Sequence, residues 1–355
     1  MRLDRYLEAA IRAKAFPGAT VAFGRADEKT IVRCYGHLTY AGDRPVTPRT
    51  RYDVLCLTKP FGVGAVLARL VAEHGFDLHA PVADTLPAFG TAGKSRISWV
   101  HLLAHAGGLA PSRSYERLRG RTRDEVVAGI LAQPPRFEPG TRFEYSCDGF
   151  VVLGLALERL AQKPLDVLVA ERVLVPLSMS RAGYARPGAP FVGDVAPTEY
   201  AATDDGRTLH GRVCEPLARA LGDVAGNTGL FACIDDVARF ARAWLGHAPG
   251  GGTLFDPAIT SWFQRPVDPI RLGTTGLAWD TRSPEGYTVA GRALGPRSFG
   301  HTGASGCSLW MDPDDGTWVA LLTNAIHRDR GRRRYLHVRP RVSELAAAIL
   351  RAPST

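Results

Sequence analysis

Residues 52–61 read YDVLCLTKPF, and this stretch decides how the rest of the chain is interpreted. It places Cys56 three residues before Lys59, at the start of an apolar segment predicted to be helical from Phe61 to His74. Side chains three residues apart on a helix share one face, so the Lys59 ammonium group lies within reach of the Cys56 sulfur. A helix N-terminus and a neighbouring cation both favour thiolate over thiol. The stretch therefore predicts a reactive cysteine.

Hydrophobic periodicity elsewhere predicts strands near both ends of the chain and helices between them. An amphipathic helix is expected over residues 3–14, followed by a hairpin of two strands at 19–23 and 31–35. Further helices are expected at 61–74, 124–131, 149–160 and 234–245. Short strands return at 287–290, 298–303, 307–311 and 318–322, and a last helix is expected over about 341–350.

This order of elements predicts an α/β fold of the α+β type. Strands at both ends imply one antiparallel sheet, flanked by N- and C-terminal helices, with an inserted, mostly helical lobe. We expect a single catalytic unit over 1–355. Its sheet lobe comprises 1–58 and 285–355, its helical lobe 60–245, and its connecting segment 246–284. A cleft between the lobes is the expected place for a site.

The composition argues against several classes of protein. A hydrophobic fraction of 45% with 22% charged residues is near the globular average, which disfavours disordered and fibrous chains. No apolar run of the ~20 residues that span a bilayer is expected, and the charged first 16 residues lack a signal-peptide pattern. We therefore expect a cytoplasmic protein without a membrane partner. The six widely spaced cysteines are expected to be reduced thiols.

The formal charge of +9 arises from 39 arginines against 5 lysines. These arginines are scattered and no recognition motif accompanies them, so nucleic acid is not expected as a partner. A basic surface could instead steer an acidic partner, such as a CoA thioester or a phosphopantetheine carrier protein. Residues 327–334, HRDRGRRR, are the candidate docking surface for such a partner.

Several segments resemble, in order, the motifs of one known family. Residues 52–61 resemble the Ser-x-Thr-Lys-Pro-Phe region of class C β-lactamases and their esterase relatives. Residues 97–109, ISWVHLLAHAGGL, resemble the family segment ITVRHLLTHTSGL, and residues 137–146, FEPGTRFEYS, resemble the approach to its Tyr-x-Asn motif. The set is completed by GDVAGNTGLF at 222–231 and by GHTG at 300–303, which stands for the Lys/His-Thr-Gly strand motif. The chain is thus similar over nearly its whole length to the penicillin-binding protein, class C β-lactamase and family VIII esterase family, with its β-lactamase/transpeptidase fold.

The resemblance implies a role for each matching side chain. Cys56 stands where the family has its acylated serine, and Lys59 would promote or hold the ionised form of this nucleophile. Tyr145, as phenolate or as a hydrogen-bonded relay, would move the proton between nucleophile and leaving group. His301 would line the pocket and contact substrate or Tyr145.

The resemblance also implies an oxyanion hole and a pocket. The backbone N–H groups of Cys56 and Ala304 would stabilise the oxyanion. The substrate pocket would include Cys147, Thr302 and Gly303. Neither a cofactor nor a metal is implied.

Two substitutions depart from the family pattern. Cysteine replaces serine at position 56, and Cys147 replaces the Asn of Tyr-x-Asn. A thiol is a poor substitute for the hydrogen bonds of that amide, so efficient β-lactam hydrolysis is not expected. The first change has three interpretations: an enzyme that transfers acyl groups through a thioester, a catalytically silent ligand-binding relative, or a serine exchanged during preparation of the protein.

We expect an acyl-transfer enzyme that forms a covalent acyl intermediate on Cys56, with an acyltransferase, condensing or thioesterase-like role on a small-molecule ester or thioester. A plain esterase-type hydrolase is the alternative within the enzyme class. If Cys56, Cys147 and His301 share one cleft, they could instead ligate zinc, or the two cysteines could form a reversible disulfide. His101 and His105 are interpreted as fold-determining. The acyl donor, the acceptor and the oligomeric state are left open by the sequence.

Overall fold

A computed structural model describes residues 2–42, 44–111, 118, 120–198, 208–268, 270–327 and 333–352. Most of the candidate docking stretch therefore lies outside the described residues, because positions 328–332 fall in a gap between these ranges.

A six-stranded antiparallel sheet joins the two ends of the chain. In spatial order its strands are β2 (Ile31–Gly36), β1 (Gly18–Arg25), β9 (Thr317–Thr323), β8 (Ser308–Met311), β7 (Phe299–Thr302) and β6 (Asp280–Thr281). β1 and β2 form the expected hairpin. β1 also pairs with β9, where Thr20 lies opposite Leu322 and Phe23 opposite Val319. The predicted meeting of the first and last segments in one sheet is confirmed.

Helices cover both faces of this sheet and form a second body beside it. They are α1 (Leu3–Arg12), α2 (Ala65–His74), α3 (Val82–Thr85), α4 (Trp99–Leu103), α5 (Arg123–Leu131), α6 (Cys147–Ala161), α7 (Leu165–Val169), α8 (Pro216–Ala220), α9 (Ile234–Trp244), α10 (Pro257–Phe263) and α11 (Tyr335–Arg351). α1 and α11 pack on one face, where the apolar stripe of α1 is buried against the sheet. α9 contacts β1 and β9 on the other face. Helix α9 thus covers the sheet, although the sequence analysis grouped it with the helical lobe. The boundaries of the lobes stay a prediction.

A second, three-stranded sheet lies next to the Cys56 segment. Its order is β3 (Tyr52–Asp53), β5 (Leu230–Ala232) and β4 (Gly183–Tyr184). β3 leads into a single 3-10 turn at Leu55–Leu57, a π-helical turn at Lys59–Gly64 and then α2. The small sheet therefore fixes the chain immediately before the nucleophile candidate.

The expectation that no apolar run is long enough to span a membrane is corrected by Leu55–His74. This continuous helical run has 20 residues and a mean hydropathy of 1.5 over its most apolar window. Of that window, 72% is buried inside the protein. A helix that is apolar on all sides suits a protein core as well as a bilayer, so the run is weak evidence for a membrane span.

Near the C-terminus, one predicted strand is absent and the last predicted helix is present but starts earlier. Residues 287–290 form no strand, because Val289 and Ala290 lie in a turn packed against Trp310. The last helix begins at Tyr335 rather than near 341 and contains Pro340. Proline lacks the N–H that would bond the Leu336 carbonyl, and the Tyr287 hydroxyl donates to that carbonyl instead at 2.9 Å.

Gly303, at the end of β7, provides a test of how the sheet meets the Cys56 segment. A Cβ atom there would lie 2.3 Å from the Val54 carbonyl oxygen. We expect Gly303→Ala to lower the free energy of unfolding by about 1–3 kcal/mol, because backbone on both sides must move. Urea denaturation measures this loss. Gly252→Ala is the matched control, since no atom lies within 4 Å of a Cβ at that position; equal stability of the two variants would contradict the close contact.

Candidate active site

Cys56 lies in the 3-10 turn that follows β3, and this turn is held in an unusual conformation. Leu55 has a φ of 49°, in the left-handed region that non-glycine residues rarely adopt. The buried Asp53 carboxylate accepts hydrogen bonds from the N–H groups of Leu55, at 3.0 Å, and Cys214, at 2.9 Å. The Ser305 hydroxyl donates to the Asp53 carbonyl at 3.0 Å. These bonds fix the backbone that carries the Cys56 thiol.

The positively charged group of the site is the side chain of Lys59, which is fully buried. Lys59 Nζ donates to the Asn227 carbonyl at 3.0 Å and to Cys147 Sγ at 3.8 Å, and it also hydrogen-bonds Cys56. It lies 4.9 Å from the centroid of the Tyr145 ring. Burial alone would lower the pKa of Lys59, but the two sulfur groups outweigh it and the pKa is raised. The side chain is therefore a permanent cation.

The two cysteines predicted to share the site form a hydrogen-bonded pair. Donation from the Cys147 thiol is the largest influence on Cys56 and lowers its pKa well below the usual value. The nearby Lys59 charge acts in the same direction, and together they outweigh burial. The same hydrogen bond, followed by burial, raises the pKa of Cys147 well above its usual value. The two pKa shifts therefore favour the ionised form at Cys56 and the neutral thiol at Cys147.

Tyr145 shares the cavity wall with Cys56, and the two groups shift each other's pKa. Burial and the neighbouring sulfur groups raise its pKa well above the usual value, so the resting group is a phenol rather than a phenolate. Its ring stacks on the His105 ring, with centroids 4.2 Å apart. The ring of His301 is farther away, at 6.2 Å.

His105 and His301 are both buried and neutral at neutral pH. The His105 Nδ1 accepts the Ser146 N–H at 3.0 Å, and burial followed by the Lys59 charge holds the pKa of His105 well below its usual value. Burial lowers the pKa of His301 to about 4. His301 Nδ1 lies 2.9 Å from the Thr302 carbonyl, which only accepts, so Nδ1 carries the proton and Nε2 is left as an acceptor.

The predicted site residues meet at one cavity of about 610 Å³. Six of them line it: Cys56, Tyr145, His301, Thr302, Gly303 and Ala304. Lys59 and Cys147 lie behind Cys56 and contact it from the protein interior. The sequence thus predicted a set of residues that the fold brings together, while their chemical roles stay predictions.

His101 and His105 were both interpreted as fold-determining. His101 fits this, because its Nδ1 accepts the Ser98 N–H at 3.2 Å and caps α4. His105, however, also lines the cavity and supports Tyr145.

Arg339 is a cavity residue that sequence reasoning missed. Its buried guanidinium donates to three carbonyls of one turn, namely Gly303, Gly306 at 3.1 Å and Cys307 at 2.9 Å. The last helix was predicted to start after Pro340, which left Arg339 outside it. The sequence signal that could have placed Arg339 in the helix was its position directly before Pro340. A proline can lie inside a helix where another group bonds the carbonyl that the proline leaves without a donor.

Asp280 is a second missed residue of the cavity wall. Burial raises the pKa of its carboxyl group to about 6, and the Thr274 hydroxyl donates to it at 3.1 Å. No sequence motif marks Asp280, because it reaches the cavity only through the pairing of β6 with β7.

The zinc alternative is not supported. Within the described ranges, no group of three or more His, Cys, Asp or Glu side chains has the arrangement of a metal site. All six cysteines are free thiols, Cys56 and Cys147 included.

Comparisons with known proteins give one family and one fold. The family model described as Beta-lactamase matches residues 3–340. The N-acetylmuramyl-L-alanine amidase of Bacillus subtilis is 28% identical over 366 aligned positions, covering 92% of this chain and 81% of that protein. EstCE1, described as a hydrolase with promiscuous acyltransferase activity, superposes with a TM-score of 0.76 at 20% identity, covering 99% and 98% of the two chains. The octameric penicillin-binding protein homologue of Pyrococcus abyssi gives 0.73 at 20% identity, covering 98% and 76%. The predicted fold class is thereby confirmed.

The hydrogen-bonded thiols predict an unusual pH dependence of alkylation. Cys56 should react with iodoacetamide at a rate that stays nearly constant from neutral pH upward, because its depressed pKa keeps it ionised. An ordinary thiol gains reactivity toward a pKa of about 8.5. Peptide mapping after timed alkylation measures each site, with Cys34 as an internal reference because burial raises its pKa to about 11.

Cys147→Ala should shift the Cys56 alkylation profile to higher pH, because it removes the largest cause of the low pKa. Cys147→Ser keeps a hydroxyl donor and should shift it less. If the pH profile of Cys56 alkylation in the wild type and in both variants matched that of the unfolded protein, the proposed thiolate would be excluded.

Proposed function

Because this chain belongs to the beta-lactamase family, we propose that it is an acyl-transfer enzyme that forms a covalent acyl intermediate on Cys56. One observation carries the proposal. The Cys56 sulfur lies on the wall of the cavity, and the neighbouring Cys147 thiol, Lys59 ammonium group and Tyr145 phenol all lower its pKa. An ionised sulfur with a proton donor beside it is what nucleophilic catalysis requires.

In the acylation step, the Cys56 thiolate attacks the carbonyl carbon of an ester or thioester. The new S–C bond forms as the carbonyl becomes an oxyanion, and its collapse expels the leaving group. Tyr145, protonated at rest, donates its proton to that group, and the resulting phenolate is stabilised by the Lys59 ammonium group near its ring. The product is an acyl-thioester on Cys56.

Two backbone N–H groups are proposed as the oxyanion hole. Ala304 is exposed in the turn after β7, and its N–H donates to no other described residue. The N–H of Cys56 is the second donor. Each such donor contributes about 3 kcal/mol to the stability of the transition state. Arg339 positions the Ala304 turn by holding the carbonyls on both sides of it.

In the second step, an acceptor attacks the acyl-thioester carbonyl. Its proton passes to the Tyr145 phenolate, the S–C bond breaks, and the Cys56 thiolate returns with Lys59 as its counter-ion. Thioesters react readily with amines and thiols, so we infer transfer to such an acceptor rather than to water. EstCE1, whose fold this chain shares, is described as having both hydrolase and acyltransferase activity, which supports both outcomes as chemically accessible in the fold.

Hydrolysis and silent ligand binding are the alternatives. The cavity is open to solvent, so water can compete as the acceptor. A silent relative would not need a thiolate, yet Cys147, Lys59 and Tyr145 all favour the ionised form of Cys56. The site also needs both thiols reduced, and we therefore propose a reducing compartment, the cytoplasm, as its location.

Intact mass spectrometry tests the covalent step. Incubation with a panel of simple esters and acyl thioesters should add one acyl mass to the parent protein and none to Cys56→Ala. Cys56→Ser should be acylated more slowly, because a hydroxyl ionises far less readily than a thiol. No adduct with any donor, together with ligand binding that Cys56→Ala retains, would favour the silent relative.

Tyr145→Phe tests the proton relay. It removes the hydroxyl while keeping the ring stacked on His105, so we expect the acylation rate to fall by about 10²–10⁴-fold. The fall should be smaller for donors whose leaving groups need no proton, such as p-nitrophenyl esters. Stopped-flow release of the leaving group gives both rates, and an equal fall for both donor types would argue against a proton-transfer role.

A further inference from the structure

A second depression adjoins the acyl cavity and is not used by the mechanism above. It has a volume of about 440 Å³ and shares Gly273 and Thr274 with the cavity wall. The two depressions are therefore neighbours, separated at most by the segment that carries Gly273 and Thr274. We call it the arginine groove after the three arginines that line it: Arg265, Arg282 and Arg297.

These arginines come from separate parts of the chain. Arg265 follows α10, Arg282 follows β6, and Arg297 precedes β7. Their convergence is therefore a product of the fold, and their spacing in sequence gives no sign of it. Ser261, Gln264 and Thr281 add neutral polar groups to the same wall.

The positive charge of the groove is only partly neutralised. Arg297 forms an ion pair with Asp314. Neither Arg265 nor Arg282 forms an ion pair with a carboxylate of any described residue. Arg265 is exposed and Arg282 is half-buried, so both keep positive charge at the groove that a ligand anion can pair with. The Arg282 Nε atom itself is shielded from solvent.

We propose that the arginine groove binds an oxyanion, carboxylate or phosphate, carried by the same substrate whose acyl group occupies the cavity. This inference rests on the proposed acyl-transfer function. Guanidinium groups suit either anion because their N–H donors match two oxygens at once. The substrate class is thus an ester or thioester with an anionic tail.

Asp280 supports this orientation of the substrate. Its carboxylate lines the cavity rather than the groove, and its Oδ1 accepts a hydrogen bond from Thr274 at the junction of the two. At this wall an anion would meet the like charge of Asp280, and the cation of the cavity, Arg339, already donates to three carbonyls. In the groove an anion meets Arg265 and Arg282, which have no carboxylate partner among the described residues. The tail is therefore directed past Thr274 and away from Asp280.

The test compares matched acyl donors that differ in one charge. Acyl-phosphopantetheine and acyl-pantetheine differ by a phosphate on the leaving group. Glutaryl and butyryl p-nitrophenyl esters are similar in length and differ by a carboxylate on the acyl group. For the wild-type protein, kcat/KM should be about tenfold or more higher for the anionic member of at least one pair, because one charged hydrogen bond contributes that much. The pair that shows the preference identifies which anion is bound.

Arg265→Gln and Arg282→Gln should each reduce this anionic preference about tenfold. Arg265 is exposed, so its replacement keeps the test valid even if Arg282→Gln is unstable. Arg239→Gln is the matched control. It removes the same charge from an exposed position in α9, beside a different depression, and should leave the preference unchanged. Equal losses in all three variants would indicate general charge attraction and overturn the site.

Direct binding separates this inference from the proposed function. Phosphopantetheine and glutarate are titrated calorimetrically into Cys56→Ala, with and without Arg265→Gln. If no donor acylates Cys56 but binding is lost with Arg265→Gln, the proposed function fails and the anion site stands. If neutral donors acylate Cys56 but neither pair shows a charge preference, the function stands and the anion site is overturned. A preference that survives both groove variants overturns it as well.

Discussion

A buried ammonium group is the constraint on which the site depends. Lys59 is fully enclosed, and a cation taken out of water costs several kcal/mol unless other groups compensate it. The Asn227 carbonyl, the Tyr145 ring and the sulfur groups of Cys147 and Cys56 supply that compensation. The Lys59 charge in turn lowers the pKa of Cys56, so each group favours the ionised form of the other.

Hydrogen bonds from distant parts of the chain hold Cys56 and Lys59 in place beside the cavity proposed to bind substrate. Asp53 and Ser305 tie the strained Leu55 turn to the turn after β7, although about 250 residues of chain separate them. Arg339 then binds the carbonyls of that second turn from α11. The result is a continuous hydrogen-bonded frame from the Cys56 turn to the turn that carries Ala304. In the proposed mechanism, donors held in this way cost no reorganisation at the moment of reaction.

Cys147 changes the chemistry that the family frame can perform. The sequence analysis treated it as a poor substitute for an amide, which is correct for substrate binding. The structure adds that its thiol donates to Cys56 and contributes most to the low pKa of that group. The frame of the beta-lactamase family is thus combined with two neighbouring sulfur groups, which are the basis of the proposed thioester chemistry. Such changes are expected because function depends on the site more than on the fold.

The sequence by itself determined the helices and strands in which apolar residues recur at a regular spacing. The hairpin of β1 and β2 and helices α5, α6 and α9 follow from such patterns. The candidate site residues Cys56, Lys59, Tyr145 and His301 came instead from ordered motifs that resemble those of a known family. Periodicity reports that a residue is buried but not what covers it, which is why 287–290 was taken for a strand. Only the tertiary structure decided that α11 starts before Pro340, because the Tyr287 hydroxyl replaces a missing backbone donor. It also decided the positions of Arg339, Asp280 and the arginine groove, since these depend on contacts between segments far apart in the chain.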